Sequence, residues 1–437
     1  MKVLVIGAGA REHALSWRIA ASPLVSKVFC APGNPGIAQV AELLPIAPTA
    51  TKELLQAVID NGIDLTVVGP EVALEAGVVD LFEANGKVIV GPTKAAALLE
   101  SSKAFAKEIM LEAGVPTASH HVFSECRALE RHCAEVGAPL VLKADGLAAG
   151  KGVFVIERAA DFPAAIEALF GTLRAERVVV EEFLSGVEVS CIFASNGTEL
   201  IPLAPAHDYK RLCDNDLGPN TGGMGSVCPS PRIDEQELTW IQEHCANPIL
   251  RVMRARGAPF KGFLYAGMMV PAGLEGRPDG IRVLEYNTRL GDPECQAILV
   301  RLESDPIELF EWMAGVRAER PKLVWRKQVS TCVVIASDGY PEQPVKGGQI
   351  TGLELAALVP GAVVFHAATT LDARGNLVSN GGRTLTIVGL GADCDSARSA
   401  AYKAVDLVQL RGRRVRRDIG IGIGIGIGIG IGIDIGA

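Results

Sequence analysis

The strongest chemical signal lies in Leu284-Glu285-Tyr286-Asn287-Thr288-Arg289-Leu290-Gly291-Asp292-Pro293-Glu294-Cys295-Gln296. Glu285 and Asn287 stand two apart on an expected strand, so both side chains point to one face. A carboxylate beside an amide oxygen suits magnesium, which takes hard oxygen ligands and leaves room for phosphate in its shell. Arg289 falls on the same face by alternation, where it could meet a transferring phosphoryl group. A buried strand has no structural use for such polar groups side by side.

Two glycine-rich loops offer phosphate sites. Lys143-Ala144-Asp145-Gly146-Leu147-Ala148-Ala149-Gly150-Lys151-Gly152 is not a Walker A loop: three residues separate Gly146 from Gly150, and Gly152 stands where a magnesium-binding Ser or Thr would be. Between the strands expected at PLVLKAD and GVFVIE it reads as a hairpin-like flap. Lys143 and Lys151 at its ends can fold over phosphates and exclude water. Lys103, in the first turn of a helix, opposes the macrodipole, which a nearby anion would offset. Gly7-Ala8-Gly9-Ala10-Arg11-Glu12-His13 invites a dinucleotide reading. That reading fails because Glu12 fills the third glycine position and no acidic residue ends the second strand, which runs into Cys30-Ala31-Pro32-Gly33-Asn34. A glycine turn at a helix N-terminus remains, suited to a single phosphate or simply a tight turn.

Three further segments carry polar groups. Glu181-Glu182-Phe183-Leu184 closes the strand RVVV. If the strand leaves its sheet there, unpaired backbone groups face a purine edge and Glu188 reaches a ribose; otherwise the two carboxylates are simply solvated. His207-Asp208-Tyr209-Lys210-Arg211 precedes Gly218-Pro219-Asn220-Thr221-Gly222-Gly223-Met224-Gly225. The second has too many glycines for a core element and presents backbone amides to a carboxylate or acyl phosphate.

The elements that must position these groups follow from punctuation. KVLVIG (2–7), KVFCAP (27–32), DLTVVGP (64–70) and KVIVGP (87–92) each end in Gly or Pro and alternate with helical segments such as His13–Ala21 and Thr51–Asn61. That is the pattern of a parallel sheet with crossover helices, whose ligands sit at the strands' carboxyl ends. A helix follows over 101–116, capped by Ser101 or Ser102 and stopped by Gly114 and Pro116. FLYAGMMV and IRVLEYN are expected central strands; VSTCVVIAS, AVVFHAAT and TLTIVGL indicate a small β-rich unit near the end. After Asp418, isoleucine alternates with glycine, which is too costly in entropy for a strand and reads as a disordered tail. The knot Arg411, Arg413, Arg414, Arg416 and Arg417 reads as a solvated edge.

Composition closes off other classes. The 437 residues allow about three domains. With 49% hydrophobic and 21% charged residues the chain is globular, not disordered. A net charge of −8 argues against nucleic acid, and no apolar run approaches the ~18 residues of a membrane span. The opening apolar run meets Arg11-Glu12-His13 at once, so it is a strand and not a signal peptide. The 10 cysteines contain no Cys-x-x-Cys pair, and Cys126, His132 and Cys133 lack zinc spacing; reduced thiols in a cytoplasmic protein are expected.

Taken in order, GAGAREHA, APGNPG, VVGPE, GPTKAAALLESSKAFAK, VLKADGLAAGKGV, VEEFLSGVE, DYKR, GPNTGGMG and NTRLGDPECQ make the chain resemble the phosphoribosylamine–glycine ligase (glycinamide ribonucleotide synthetase) family of ATP-grasp enzymes, from Met1 to about Gly420. The resemblance implies an α/β protein with a Rossmann-like parallel-sheet domain (1–101), an ATP-grasp domain (102–325) with a mobile lid near 121–190, a small C-terminal β-rich domain (326–418) and a tail (419–437). It implies that Lys103, Lys143 and Gly146, Gly150, Lys151 and Gly152 hold ATP phosphates, that Glu181, Glu182, Phe183 and Leu184 meet adenine and Glu188 the ribose, and that Glu285 and Asn287 bind Mg²⁺ or Mn²⁺. Gly9, Asn34, Gly36, Gly69, Pro70 and Glu71 would hold 5-phosphoribosylamine. Arg289, Asp208, Asp292 and Asn220, Thr221, Gly222 and Gly223 would handle glycine and its acyl phosphate, with Lys143, Asp208 and Arg289 catalytic. A monomer acting on small molecules, with no nucleic-acid or membrane partner, is implied.

The chain departs from the family pattern at Ala10 (usually Gly), at His207 and Tyr209 (usually Gln and His), in a shortened Phe170–Arg177 stretch, and in the Ile-Gly tail. Two rivals remain: an ATP-grasp ligase with another acceptor, and a silent nucleotide-binding protein. Intact Lys143, Glu285, Asn287 and Arg289 weigh against the second.

Overall fold

The computed structural model describes residues 1–147, 152–273 and 278–422, so Gly150, Lys151 and the Ile-Gly repeat beyond Gly422 lie outside the described residues. The N-terminal strands form a five-stranded parallel sheet in the order Glu42–Leu43, Lys27–Pro32, Lys2–Gly7, Leu65–Val68, Ile89–Val90. Its strand order reverses between Lys2–Gly7 and Leu65–Val68, and the Gly7–Gly9 and Gly69–Glu71 loops open at that crevice, where such sheets take their ligands.

Two antiparallel sheets of four strands follow. One runs His120–Phe123, Val178–Glu182, Leu140–Ala144, Val153–Ile156; the other runs Leu200–Pro202, Val187–Asn196, Lys261–Val270, Arg282–Asn287. The helix expected over 101–116 is divided. Lys94–Ser101 ends, Ser102 accepts a bond from the Phe105 N–H, and Lys103–Ala113 runs to a left-handed Gly114 with φ +67°.

The C-terminal sheet is ordered His207–Asp208, Gly225–Cys228, Val329–Ala336, Arg383–Gly391, Ala362–His366, so hydrogen bonding between Gly225–Cys228 and Val329–Ala336 crosses the boundary expected at 326. No local pattern marks those two short early strands. Both flank the site motifs, which ties the site to the C-terminal unit. One apolar cluster runs through all three parts, including Val5, Ile192, Phe263, Trp312, Phe365 and Val388. At roughly 1.5–3 kcal/mol per buried large side chain, that shared core fixes the relative placement of the sheets. Among the described residues, no helix is long and apolar enough to cross a membrane.

The expected tail needs correction at its start. Ile419 is 0% exposed and packs with Tyr209, Val227 and Tyr402, so the first residues of the repeat belong to the fold. The Arg knot is not merely a solvated edge either, since Arg416 is 1% exposed. Ile419→Ala should destabilise the protein by about 2–5 kcal/mol, seen as a lower denaturation midpoint; an unchanged midpoint would return Ile419 to the tail.

Candidate active site

The helix Lys103–Ala113 begins beside a carboxylate of the chain itself. Asp145 accepts hydrogen bonds from the Ala104 N–H (3.2 Å) and Ser102 Oγ (3.0 Å), and Lys103 Nζ donates to the Gly146 carbonyl (3.1 Å). The helix therefore presents Lys103 at the base of the 146–152 loop. From the adjacent strand, Lys143 Nζ meets Glu181 Oε2 at 2.9 Å and the Leu284 carbonyl at 3.3 Å. Leu284 is free to accept because the pairing of Lys261–Val270 with Arg282–Asn287 shifts register between Gly267 and Met268, leaving Leu284 as a bulge.

Past the bulge, alternation resumes. Val283 and Tyr286 are buried, while Glu285 and Asn287 share the opposite face. The Asn287 amide lies 3.5 Å from Glu285 Oε1, and Gly267 opposite leaves space beside Glu285 and Glu188. Lys210 Nζ bonds Glu188 Oε1 and lies 3.9 Å from Glu285 Oε1. Burial would raise the Glu285 carboxyl, but Lys210, Lys143, Lys103 and the Asn287 amide together pull it down to about 2. Burial likewise disfavours the Lys210 ammonium, yet Glu188, Glu285 and Asp208 hold it above its ordinary range. Lysines from three different elements thus favour the charged form of Glu285.

This donor set fits a divalent ion. An ionised carboxylate and a neighbouring amide supply hard oxygens. Among the described residues no group of three or more His, Cys, Asp or Glu could hold a metal, so most of the shell would come from phosphate and water. Cys126 instead faces Glu130, and His132 packs against His121.

The adenine-side residues divide. Glu181 is buried and faces Lys143 and Lys107 (3.3 Å), while Glu182 accepts from the Ser119 N–H at 2.8 Å. Phe183 and Leu184 lie between strands, and among the described residues neither takes part in a backbone hydrogen bond outside regular elements. Lys107 was not foreseen, although its place one turn after Lys103 was a usable signal. Burial, opposed by Glu181, lowers it to about 8.

Arg289 does not continue the Glu285–Asn287 alternation, because the strand ends at Asn287. Its guanidinium meets Glu100 at 2.9 Å and Glu71 at 3.3 Å, and these outweigh burial to hold it above its ordinary value. Asp292 Oδ1 accepts from Gln296 (2.8 Å) and Oδ2 lies 3.3 Å from Arg383, while the Arg383 guanidinium also donates to the Gly222 and Asp292 carbonyls. Thr221 folds back on the Lys210 carbonyl through its N–H and Oγ1, both at 2.8 Å, and Asn220 pairs with Arg211. Gly223, at φ +105°, leaves room where a Cβ would fall 2.8 Å from Asp208 Oδ1. That oxygen is buried and has no hydrogen-bond partner among the described residues. Burial and then Glu294 raise the Asp208 carboxyl well above its ordinary value.

At the N-terminal crevice, the Gly9 N–H donates to Glu12 Oε2 at 2.6 Å, so Glu12 fills the nest in which a phosphate was expected. Gly69 packs against the same Glu12 side chain, and Pro70 opens the helix Glu71–Glu75. Asn34 is occupied on both ends: Nδ2 donates to the Ala8 and His366 carbonyls (2.9 Å each), and Oδ1 accepts from Gly36 and Ile37. A Cβ on Gly36 would fall 2.5 Å from the rings of His13 and His366. Sequence reasoning missed Glu100, three residues before Lys103, and Glu294, two after Asp292, as well as Arg383 and His366, which reach the site from the C-terminal part of the chain.

Two four-stranded antiparallel sheets, with Lys143 on one touching the strand that carries the carboxylate–amide pair on the other, have the arrangement of an ATP-grasp enzyme. Biotin carboxylase from Campylobacter jejuni shares this fold with a TM-score of 0.70, at 17% identity over 96% of this chain and 94% of that one. Residues 1–100, 101–295 and 330–422 match in turn the N domain, the ATP-grasp (A) domain and the C domain of phosphoribosylglycinamide synthetase, and the chain belongs to that family. It is 42% identical to phosphoribosylamine–glycine ligase of Brucella melitensis over 96% of this chain and 97% of that one, and 44% identical to the Xanthomonas campestris enzyme over 96% and 97%. The solved Thermotoga maritima phosphoribosylamine–glycine ligase matches with a TM-score of 0.82 and 33% identity, over 96% of this chain and all of that one.

Two outcomes follow. Glu285→Ala should leave the melting temperature near wild type while ATP-dependent turnover falls by about 10²–10³-fold or more; wild-type turnover would remove Glu285 from the site. Burial lowers His13 to about 3 and His366 to about 4, against an ordinary 6.5. Below pH 6.5 the unfolded chain therefore binds more protons at these imidazoles, and stability is lost as pH falls towards 4 and 3. Thermal unfolding between about pH 7 and about pH 4 should show this slope, flattened by His366→Phe; an identical slope would refute it.

Proposed function

We propose that the protein ligates glycine to 5-phosphoribosylamine at the expense of ATP, giving glycinamide ribonucleotide, ADP and phosphate in purine synthesis. On this reading residues 1–101 receive phosphoribosylamine, 102–325 bind ATP beneath the lid near 121–190, and 326–418 close the substrate side. The observation that carries it is Glu285 on one strand face with Asn287 and 3.9 Å from Lys210, in a chain whose three parts all match one family.

A glycine carboxylate oxygen attacks the γ-phosphorus, the bond to the β-γ bridging oxygen breaks, and ADP leaves glycyl phosphate behind. The amine of phosphoribosylamine then attacks the acyl carbon and expels phosphate, losing its proton as the amide forms. Phosphoryl transfer of this kind is accelerated by placement and charge neutralisation. Lys103 and Lys143 hold the phosphates with Gly146 and Gly152 at the loop's ends. The free backbone at Phe183 and Leu184 receives adenine beside Glu181 and Glu182, and Glu188 takes the ribose. A Mg²⁺ or Mn²⁺ ion held by Glu285 and Asn287 would neutralise charge across the phosphates. Asp208, Arg289, Asp292 and Asn220–Gly223 orient glycine and the acyl phosphate. Gly9, Asn34, Gly36 and Gly69–Glu71 shape the phosphoribosylamine end. The reading is of a monomer, and its unpaired cysteines suit the reducing cytoplasm.

ADP release should require glycine and freshly generated phosphoribosylamine together. Release with glycine or bicarbonate alone would favour another acceptor, and ATP binding without product would overturn the ligase reading.

A further inference from the structure

Arg416 is nearly inaccessible, yet it comes from the last stretch of the fold and reaches into the segment that carries Asp208 and Lys210. Its guanidinium forks onto Asp418 at 2.8 and 2.7 Å, bonds Asp216 at 2.8 Å and the Arg211 carbonyl at 3.1 Å, and lies 5.0 Å from the Tyr209 ring centre. The same stretch takes hold of Tyr209 a second time: the Gly420 N–H donates to the Tyr209 hydroxyl at 3.0 Å. It is itself tied down, since the Tyr402 hydroxyl donates to the Arg416 carbonyl at 2.7 Å and the Arg417 N–H donates to Asp214 at 2.6 Å. Lys210 is therefore bracketed, with the ring of Tyr209 gripped on one side and the carbonyl of Arg211 on the other.

A second observation points the same way. Asn215 and Asp216, in the turn after Arg211–Cys213, both sit in the left-handed region at φ +58° and +52°. Consecutive non-glycine residues there are costly and persist when their surroundings over-determine them. Here Asp418 accepts from the Asn215 N–H at 2.9 Å while Arg416 holds Asp216. A buried ion pair is weak evidence of stabilisation, because apolar side chains in place of both partners often serve as well. What the guanidinium adds is direction: its planar fork can satisfy two carboxylates, a carbonyl and an aromatic face at once.

We propose that Arg416, with Gly420, is a positioning clamp that acts through Tyr209 and Arg211 to set Lys210 against Glu188 and Glu285 and to keep Asp208 in the substrate pocket. What those residues serve rests on the ligase reading above. The clamp joins the C-terminal stretch to the nucleotide site.

The test uses the full chain and Arg416→Met, which keeps volume and removes the fork. The melting temperature should stay within a few degrees of wild type. ATP affinity, titrated directly without the other substrates, should weaken about fivefold, and kcat/KM for ligation should fall about tenfold or more. Tyr209→Phe keeps the ring but loses the Gly420 bond, and should move both readouts about threefold in the same direction. If Arg416→Met does not fold, Tyr209→Phe and Asp216→Asn decide by the same measurements. Wild-type ATP affinity and kcat/KM in folded variants would overturn the clamp, as would a loss that tracks only the unfolded fraction. Wild-type protein that releases no ADP would instead overturn the ligase reading, leaving the clamp to be judged on ATP affinity.

Discussion

A carboxylate ringed by ammonium groups makes demands on every layer of this chain. Glu285 and Lys143 lie on different sheets, and the strand that carries Glu285 touches the other sheet through the Lys143–Leu284 contact of 3.3 Å. Lys103 comes from a helix and Lys210 from an irregular segment after a two-residue strand. Charges of one sign placed this close repel unless acids alternate with them. Glu181 therefore sits between Lys107 and Lys143, and Glu188 beside Lys210. Such a lattice of charges leaves Lys103, Lys143 and Lys210 acting together on Glu285.

A second charged cluster lies where the parts meet. Arg289 joins Glu100 of the helix Lys94–Ser101 to Glu71 of the N-terminal unit, and Arg383 of the C-terminal sheet reaches Asp292 and the Gly222 carbonyl. Asp208 and Glu294 are acids in the same region, and the buried Asp208 Oδ1 is left without a hydrogen bond among the described residues. Burying an unpaired carboxylate is costly, and a group kept in that state marks a place prepared for a partner with a proton or positive charge to share.

What could be read from the sequence was whatever local periodicity encodes. The four expected strands of the N-terminal sheet end at or one residue before their Gly or Pro while Glu42–Leu43 carries no such mark, Ser102 caps the helix it precedes, and Glu285 and Asn287 share a face because a strand alternates. The departures arise where one residue breaks a period or a distant segment intrudes. The bulge at Leu284 has no composition of its own, and the end of the strand at Asn287 frees Arg289 to turn towards Glu71. Glu12, at the third glycine position of the first loop, folds onto the Gly9 amide. His366, Arg383 and Arg416 reach the site from the last fifth of the chain, and nothing near them in sequence announces a partner hundreds of residues earlier.

The C-terminal unit is therefore more than a cover. Its sheet is completed by Gly225–Cys228 and His207–Asp208, strands that flank the glycine-rich loop and carry Asp208 itself. Shifting Val329–Ala336 relative to Gly225–Cys228 by one residue would invert the facing of both short strands, since side chains alternate across a sheet. The Asp208 carboxyl would then turn away from Gly223 and Tyr209 would lose its bond from the Gly420 N–H. Arg416 and Ile419, buried against that segment, oppose such a slip from the side that the strand ladder leaves open. The register of the C-terminal sheet thus decides which way Asp208 and Tyr209 face.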